Sequence, residues 1–249
     1  ASTRMKTAKE GQFPFATIIG CSDSRVPIEH IFDVGIGEVF VIRVAGNVSD
    51  IDEAGSIEYG VDHLKPPVLV VLGHTSCGAV TAVARGDEVH GNIPALVDNI
   101  IPAVEKAKHQ HGDHFSPELL STAIELNVWQ SIEDLLSNSH STVELVKNGD
   151  LLIVGAVYDL ASGKVEWLGQ HPEMASLLQH ADNTIESGHG ESTHTSAIAS
   201  EHSAPGSAGI HSASVNNHSL EKTEKSSILK YILLFVAIIS VAIYFLLLN

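Results

Sequence analysis

Basic residues are scarce in this 249-residue chain. Fourteen lysines and arginines face 30 aspartates and glutamates, a formal net charge of -16. That balance excludes nucleic acid as a partner, because neutralising phosphates requires a basic face. Cysteine is scarcer still, with two residues, Cys21 and Cys77. Two in a chain of this length exclude a disulfide framework and leave one bridge, two buried thiols or a metal site. Residues 172–227 hold almost no large apolar side chains and are rich in Ser, His, Gly, Ala and Glu. Such a composition buries too little surface to offset chain entropy, so a disordered linker is expected there. Residues 231–248, YILLFVAIISVAIYFLLL, carry no charge. At about 1.5 Å per residue the run covers roughly 27 Å, close to the hydrocarbon thickness of a bilayer, which predicts one transmembrane helix within 228–249. Lys222, Lys225 and Lys230 precede it and none follows. The positive-inside rule then expects the bulk of the chain in the cytoplasm, with an extracytoplasmic placement the alternative if a signal precedes Ala1.

What remains, residues 1–171, alternates apolar runs with amphipathic stretches. FATIIGC (15–21), VFVIRVA (39–45), PVLVVLGH (67–74) and DLLIVGAVYDL (150–160) are predicted strands, the last turning through ASG into KVEWLG (164–169). Helices are predicted over 55–64, from 77, over 95–107 with an interruption near Pro102, over 118–136, and over 139–150 up to Gly149. Nearly continuous apolar strands separated by helices give an α/β fold, with a mostly parallel β-sheet flanked by helices.

Chemistry concentrates at two strand ends. Cys21 closes the first strand in IIGCSDSRV; His74 closes the third, and Cys77 opens the helix after it. Ligands collect at the carboxyl ends of strands in open α/β sheets, so two segments deliver Cys, His and Cys to one edge. A cysteine plus a local H-x-x-C matches a zinc site with S, N and S donors. A Cys21–Cys77 disulfide, inert thiols and a dithiol switch are the competing readings. Three protein ligands leave a fourth position, which Asp23 can fill or which water can occupy. Arg25, two residues on, can pair bidentately with Asp23 and keep it ionised and oriented.

CSDSR (21–25) followed by GHTSCG (73–78), with FVIRVAGN (40–47), IEYGVDHL (57–64) and VGAVYDLASGKV (154–165), resembles the β-class carbonic anhydrases. The resemblance implies one Zn2+ per subunit on Cys21, His74 and Cys77, and a catalytic dyad of Asp23 and Arg25. In an inactive state Asp23 would bind the metal as a fourth ligand. It further implies reversible hydration of carbon dioxide to bicarbonate and a proton, with Gln12, Phe40, Tyr59 and Gly78 lining the substrate pocket. Helices ahead of Ala1, and a homodimer or higher homo-oligomer with active sites near subunit interfaces, are also implied. The alternatives in function are a related zinc hydrolase acting on a small linear molecule of the carbon disulfide type, and a non-catalytic membrane-anchored zinc module. The histidines from His171 to His218 are expected to be part of a polar, titrating linker.

Overall fold

Five segments of β-branched and apolar residues pair into one sheet in the computed structural model, which describes residues 2–187. These residues lie in the first of two units into which the chain divides, Ala1–Ser192 and Thr193–Asn249. In chain order the elements are α1 (Ser2–Glu10), β1 (Ala16–Cys21), the single turn α2 (Ile28–Ile31), β2 (Val39–Val44) and α3 (Ile51–Glu58). Then come β3 (Val68–His74), α4 (Gly78–Arg85), α5 (Ile93–Val97), α6 (Ile101–His111) and α7 (Pro117–Asn138). The last are α8 (His140–Lys147), β4 (Leu152–Tyr158), β5 (Val165–Gly169) and α9 (Met174–Ser187). The sheet order is β2-β1-β3-β4-β5. Its first four strands are parallel and β5 pairs antiparallel at the edge.

Three helices begin where a side chain satisfies their free N–H groups. Asp50 and Glu53 form a reciprocal capping box on α3, Ser116 caps α7 ahead of Pro117, and Ser139 caps α8. The break expected near Pro102 falls just before it, between α5 and α6. Proline has no N–H to lose in a first turn, so Pro102 starts α6 rather than interrupting it. Helix α3 starts four residues earlier than expected, at its cap, and widens into a π-helical stretch over Tyr59–Leu64.

Three apolar clusters follow from this layout. Ile19, Leu69, Val71 and Ile153 on one sheet face pack against Ile57, Val128, Ile132, Leu135 and Val143 of α3, α7 and α8. Ile18, Val70, Leu72 and Ala156 on the other face lie under Val26 and Ile28, around α2. Beyond the carboxyl edge, Cys21 and Cys77 join Val80, Ile100, Val104 and Leu119. That third cluster gives the strand ends an apolar lining.

The first part of the linker expected from 172 is helical. Residues Met174–Ser187 form α9, and Met174, Leu177, Leu178 and Ala181 pack on the first cluster. Their spacing of three and four residues makes one apolar helix face, which the polar composition of the whole segment hides. His171 is correspondingly buried rather than solvated. It faces Trp129 edge-on, its Nε2 lies 3.3 Å from Glu133, and its Nδ1 accepts the Glu173 N–H. The remainder of the expected linker and the apolar run 231–248 lie outside the described residues. Among the described residues no helix is long and apolar enough to cross a membrane.

The contact between β4 and α7 leaves no room at Gly155, where a Cβ would come within 2.8 Å of the Trp129 ring and 2.9 Å of Val128. Gly155→Ala is expected to destabilise the fold by about 1–3 kcal/mol through overpacking. Gly55→Ala, inside α3 with nothing within 4 Å of the new carbon, is expected to stabilise it by about 0.5–1 kcal/mol. Denaturant midpoints of the two variants, moving in opposite directions, check this packing.

Candidate metal centre

Strand β1 delivers Cys21 at its last position, and its neighbour β3 delivers His74 at its own. Cys77 follows as the N-cap of α4. Between the two, Ser76 adopts φ 57°, a conformation rare outside glycine. That strained turn reverses the chain so that His74 and Cys77 face one point. It is pinned at Thr75, whose N–H donates to the Tyr158 carbonyl and whose hydroxyl accepts the Leu160 N–H.

The ligand atoms of Cys21, His74 and Cys77 all lie within 4.8 Å of one another, and all three residues are buried. Both cysteines are free thiols, so the disulfide reading is not what the structure contains. The His74 Nδ1 lies 3.0 Å from the Thr75 carbonyl oxygen. A carbonyl only accepts, so Nδ1 carries the proton and Nε2 keeps its lone pair. That Nε2 is buried with no hydrogen-bond partner. An unpartnered imidazole lone pair beside two sulfurs, in an apolar lining, fits a zinc ion. Zinc takes Zn–S near 2.3 Å and Zn–N near 2.0 Å, which puts tetrahedral donors about 3.5–3.8 Å apart.

Charge in the group is already biased toward thiolate. The Cys77 side chain donating to it holds Cys21 below the usual thiol range, with help from His74 and from the Asp23 and Gly46 N–H groups, against the opposing effect of burial. Those two N–H groups reach Cys21 Sγ at 3.4 and 3.3 Å. Cys77, facing that sulfur and buried, is pushed up. The two sulfurs thus share a proton that a cation replaces.

Asp23 stands beside the group, not in it. Its Oδ1 accepts the Arg25 backbone N–H at 2.9 Å and Nε at 3.0 Å, and its Oδ2 accepts the terminal guanidinium nitrogen at 2.7 Å. The expected bidentate pair is therefore formed. The same Oδ2 lies 4.0 Å from His74 Nε2, so one carboxylate oxygen faces the metal group. The Arg25 guanidinium holds the Asp23 carboxyl well below the usual carboxylate range.

Of the four expected pocket residues, only Gly78 adjoins the group, as the residue after Cys77 and first in α4. Phe40 pairs with Thr17, four residues before Cys21, which is roughly 13 Å along the strand. Tyr59 stacks on Phe40 with ring centroids 5.9 Å apart, and Gln12 is exposed on the segment leading into β1. One chain does not bring these three to the sulfurs. Two contributors escaped the sequence reading. Arg43 donates from Nε to the Cys21 carbonyl at 3.0 Å and from its terminal nitrogen to the Asp23 carbonyl at 2.6 Å. Gly46, at φ 72°, supplies the N–H to Cys21; a Cβ there would come within 2.7 Å of Ile100. A charge in the otherwise apolar strand VFVIRV was the available signal for Arg43.

Known proteins with this pattern share a name. The family model described as carbonic anhydrase matches residues 16–165. A carbonic anhydrase of Mycolicibacterium smegmatis is 37% identical over 170 residues, covering 66% of this chain and 79% of that protein. The solved β-carbonic anhydrase CafA of Aspergillus fumigatus superposes with a TM-score of 0.66 at 28% identity, over 74% of this chain and 88% of that one. Tetrameric β-carbonic anhydrases from Sordaria macrospora give a TM-score of 0.57 at 27% identity, over 68% and 91%.

Because its folded-state pKa is lowered, the Asp23–Arg25 pair contributes stability fully above about pH 4 and loses it only as pH falls through the lowered value. Arg25→Ala is expected to raise the Asp23 carboxyl toward the ordinary range but not fully to it, because the residue-25 backbone N–H still donates to Oδ1. Carbon-detected NMR titration of the Asp23 carboxylate checks this; a titration midpoint unchanged by the substitution would refute the assigned cause.

Proposed function

The chain belongs to the carbonic anhydrase family, zinc lyases that hydrate carbon dioxide, and on that premise we propose how its own residues divide the work. Cys21, His74 and Cys77 hold the zinc, and Asp23 with Arg25 forms the catalytic dyad. The observation that carries this assignment is the buried, unpartnered His74 Nε2, set among two sulfurs and 4.0 Å from Asp23 Oδ2.

When bound, the zinc supplies a Lewis acid that makes water a nucleophile near neutral pH. Asp23 would then be the residue that orients the attacking nucleophile. Its Oδ1 is occupied by two donors from Arg25, while Oδ2 takes one and keeps acceptor capacity toward the cluster. Arg25 keeps the carboxylate ionised, so Asp23 accepts a hydrogen and does not offer one. A nucleophile with its hydrogen held by Asp23 would have a lone pair free to face carbon dioxide. His74, with Nδ1 tied to Thr75, cannot rotate away from the donor set. Arg43 holds the Cys21 and Asp23 carbonyls and so fixes the loop that carries both.

Gln12, Phe40 and Tyr59 line the substrate pocket of a second subunit. Within one chain Phe40 sits opposite Thr17, four residues down β1 from Cys21, and relatives include tetrameric β-carbonic anhydrases. Phe40, half-buried and stacked on exposed Tyr59, offers the apolar wall that a nonpolar linear substrate needs. The uncharged run 231–248 anchors the enzyme in a membrane, with the catalytic part on the cytoplasmic side; its support is the sequence alone. Protease protection at both termini, together with membrane fractionation, tests that arrangement.

Stopped-flow hydration of carbon dioxide by the zinc-analysed full chain is the direct test. Asp23→Ala is expected to keep zinc and lose turnover by about a hundredfold or more, and Cys77→Ala to lose both. Full activity in Asp23→Ala would end the dyad assignment. Two thiolates neutralise the ion, making it a weaker Lewis acid than one held by three imidazoles. Activity is therefore expected to climb between about pH 6 and 9, and a flat profile would contradict that donor set.

A further inference from the structure

Helix α7 buries an asparagine that apolar packing does not call for. Asn127 is 1% exposed and follows Ala123 and Ile124 on the covered face of the helix. Its Nδ2 donates to the Gly46 carbonyl at 2.7 Å, while its Oδ1 is buried with no partner. One turn on, the buried Ser131 hydroxyl donates to the Asn127 carbonyl and lies 3.5 Å from Asn47 Nδ2. The helix thus grips two consecutive residues of the turn after β2. A buried amide with an unpaired acceptor is a poor stabiliser, since its Oδ1 gives up water without gaining a partner. Its use lies at the other side of Gly46, whose N–H points at Cys21 Sγ, 3.3 Å away.

We propose that Asn127 is a positioning residue for the metal ligand Cys21. By holding the Gly46 carbonyl it fixes the left-handed glycine so that the Gly46 N–H is directed at the sulfur. A hydrogen bond to a ligating sulfur draws electron density from it, which tunes the metal it holds. This inference rests on the assignment of Cys21, His74 and Cys77 as the zinc ligands. It adds a residue 106 positions from Cys21 in sequence, reached only through a backbone peptide.

The test uses the full chain loaded with zinc or cobalt(II), in the wild type, Asn127→Leu and the near-isosteric Asn127→Asp. Zinc affinity is read by competition with a chromophoric chelator, and the sulfur environment by the thiolate-to-cobalt charge-transfer band. Both variants are expected to bind zinc about tenfold or more weakly and to shift the band to lower energy. Leu135→Ala, buried on the same helix away from the turn, is expected to lower stability and leave both readouts unchanged. Wild-type affinity and band position in either folded Asn127 variant would overturn the proposal. A measurement needing no variant is scalar coupling in the cadmium-113-loaded wild type. The Gly46 amide proton is expected to correlate with the metal through Cys21, and no correlation overturns the proposal by itself. If the wild-type chain takes up no zinc, cobalt or cadmium, the ligand assignment fails, and this inference falls with it.

Discussion

Strands β1 and β3 are hydrogen-bonded neighbours running in the same direction, and the metal centre depends on that pairing. Gly20 opposes Leu72, so Cys21 and His74 reach the carboxyl edge within a residue or two of the same level. The pairing is secured far from the chemistry, by side chains such as Ile19, Leu69 and Val71 that are wholly buried under α3 and α7. Each ligand's position is then set by a sheet register instead of by a flexible loop. A one-residue slip of β1 would turn Cys21 to the other face of the sheet, and the donor set would be lost with the core packing.

Only the third donor needs a special backbone. Between His74 and Cys77 the chain must leave a strand, reverse and start α4 within three residues, and Ser76 takes a left-handed conformation to do so. Neighbours hold that strain in place. Tyr158 and Leu160 bond Thr75, and the Arg25 guanidinium reaches the Ser76 carbonyl at 3.4 Å. Arg25 therefore touches both the Asp23 carboxylate and the turn that carries Cys77, so a change at Arg25 acts on the geometry as well as the charge. The compensation is local. In a chain with a net charge of -16, two arginines and several backbone N–H groups surround the two sulfurs and the one carboxylate that must stay negative together.

The strands and the metal donors were legible in the sequence because each depends on a short local pattern. β-branched runs ending in Cys21 and His74 mark strand ends, and strand ends are where such a sheet gathers its chemistry. The Asp23–Arg25 pair was legible for the same reason, with one residue between acid and base. What stayed hidden depends on partners distant in sequence. Arg43 reads as an ordinary exposed charge until β2 is laid beside β1, since its acceptors are backbone carbonyls, which leave no trace in composition. His171 reads as one histidine among fifteen until Trp129 and Glu133 of α7 are brought against it. Helix α9 was averaged away because its four apolar contacts sit at the front of a long polar stretch.

The aromatic pair Phe40–Tyr59 shows why a family pattern and a single chain's geometry give different kinds of information. Phe40 is fixed from within. It packs where a Cβ on Gly60 would come within 2.8 Å of its ring, and it pairs with Thr17 in the sheet. Its position roughly 13 Å along the strand from the sulfurs is therefore not adjustable by a rotamer change or a loop movement. Either such a ring has no part in substrate binding, or a second molecule brings it to the metal. Phe13, Phe15 and Tyr59 are each more than half exposed, an unusual outlay of aromatic surface for an isolated domain. Rigid placement of Phe40, exposure of Tyr59 beside it, and a metal group that, of the four expected pocket residues, only Gly78 adjoins are what the proposal of a pocket shared with a second subunit rests on.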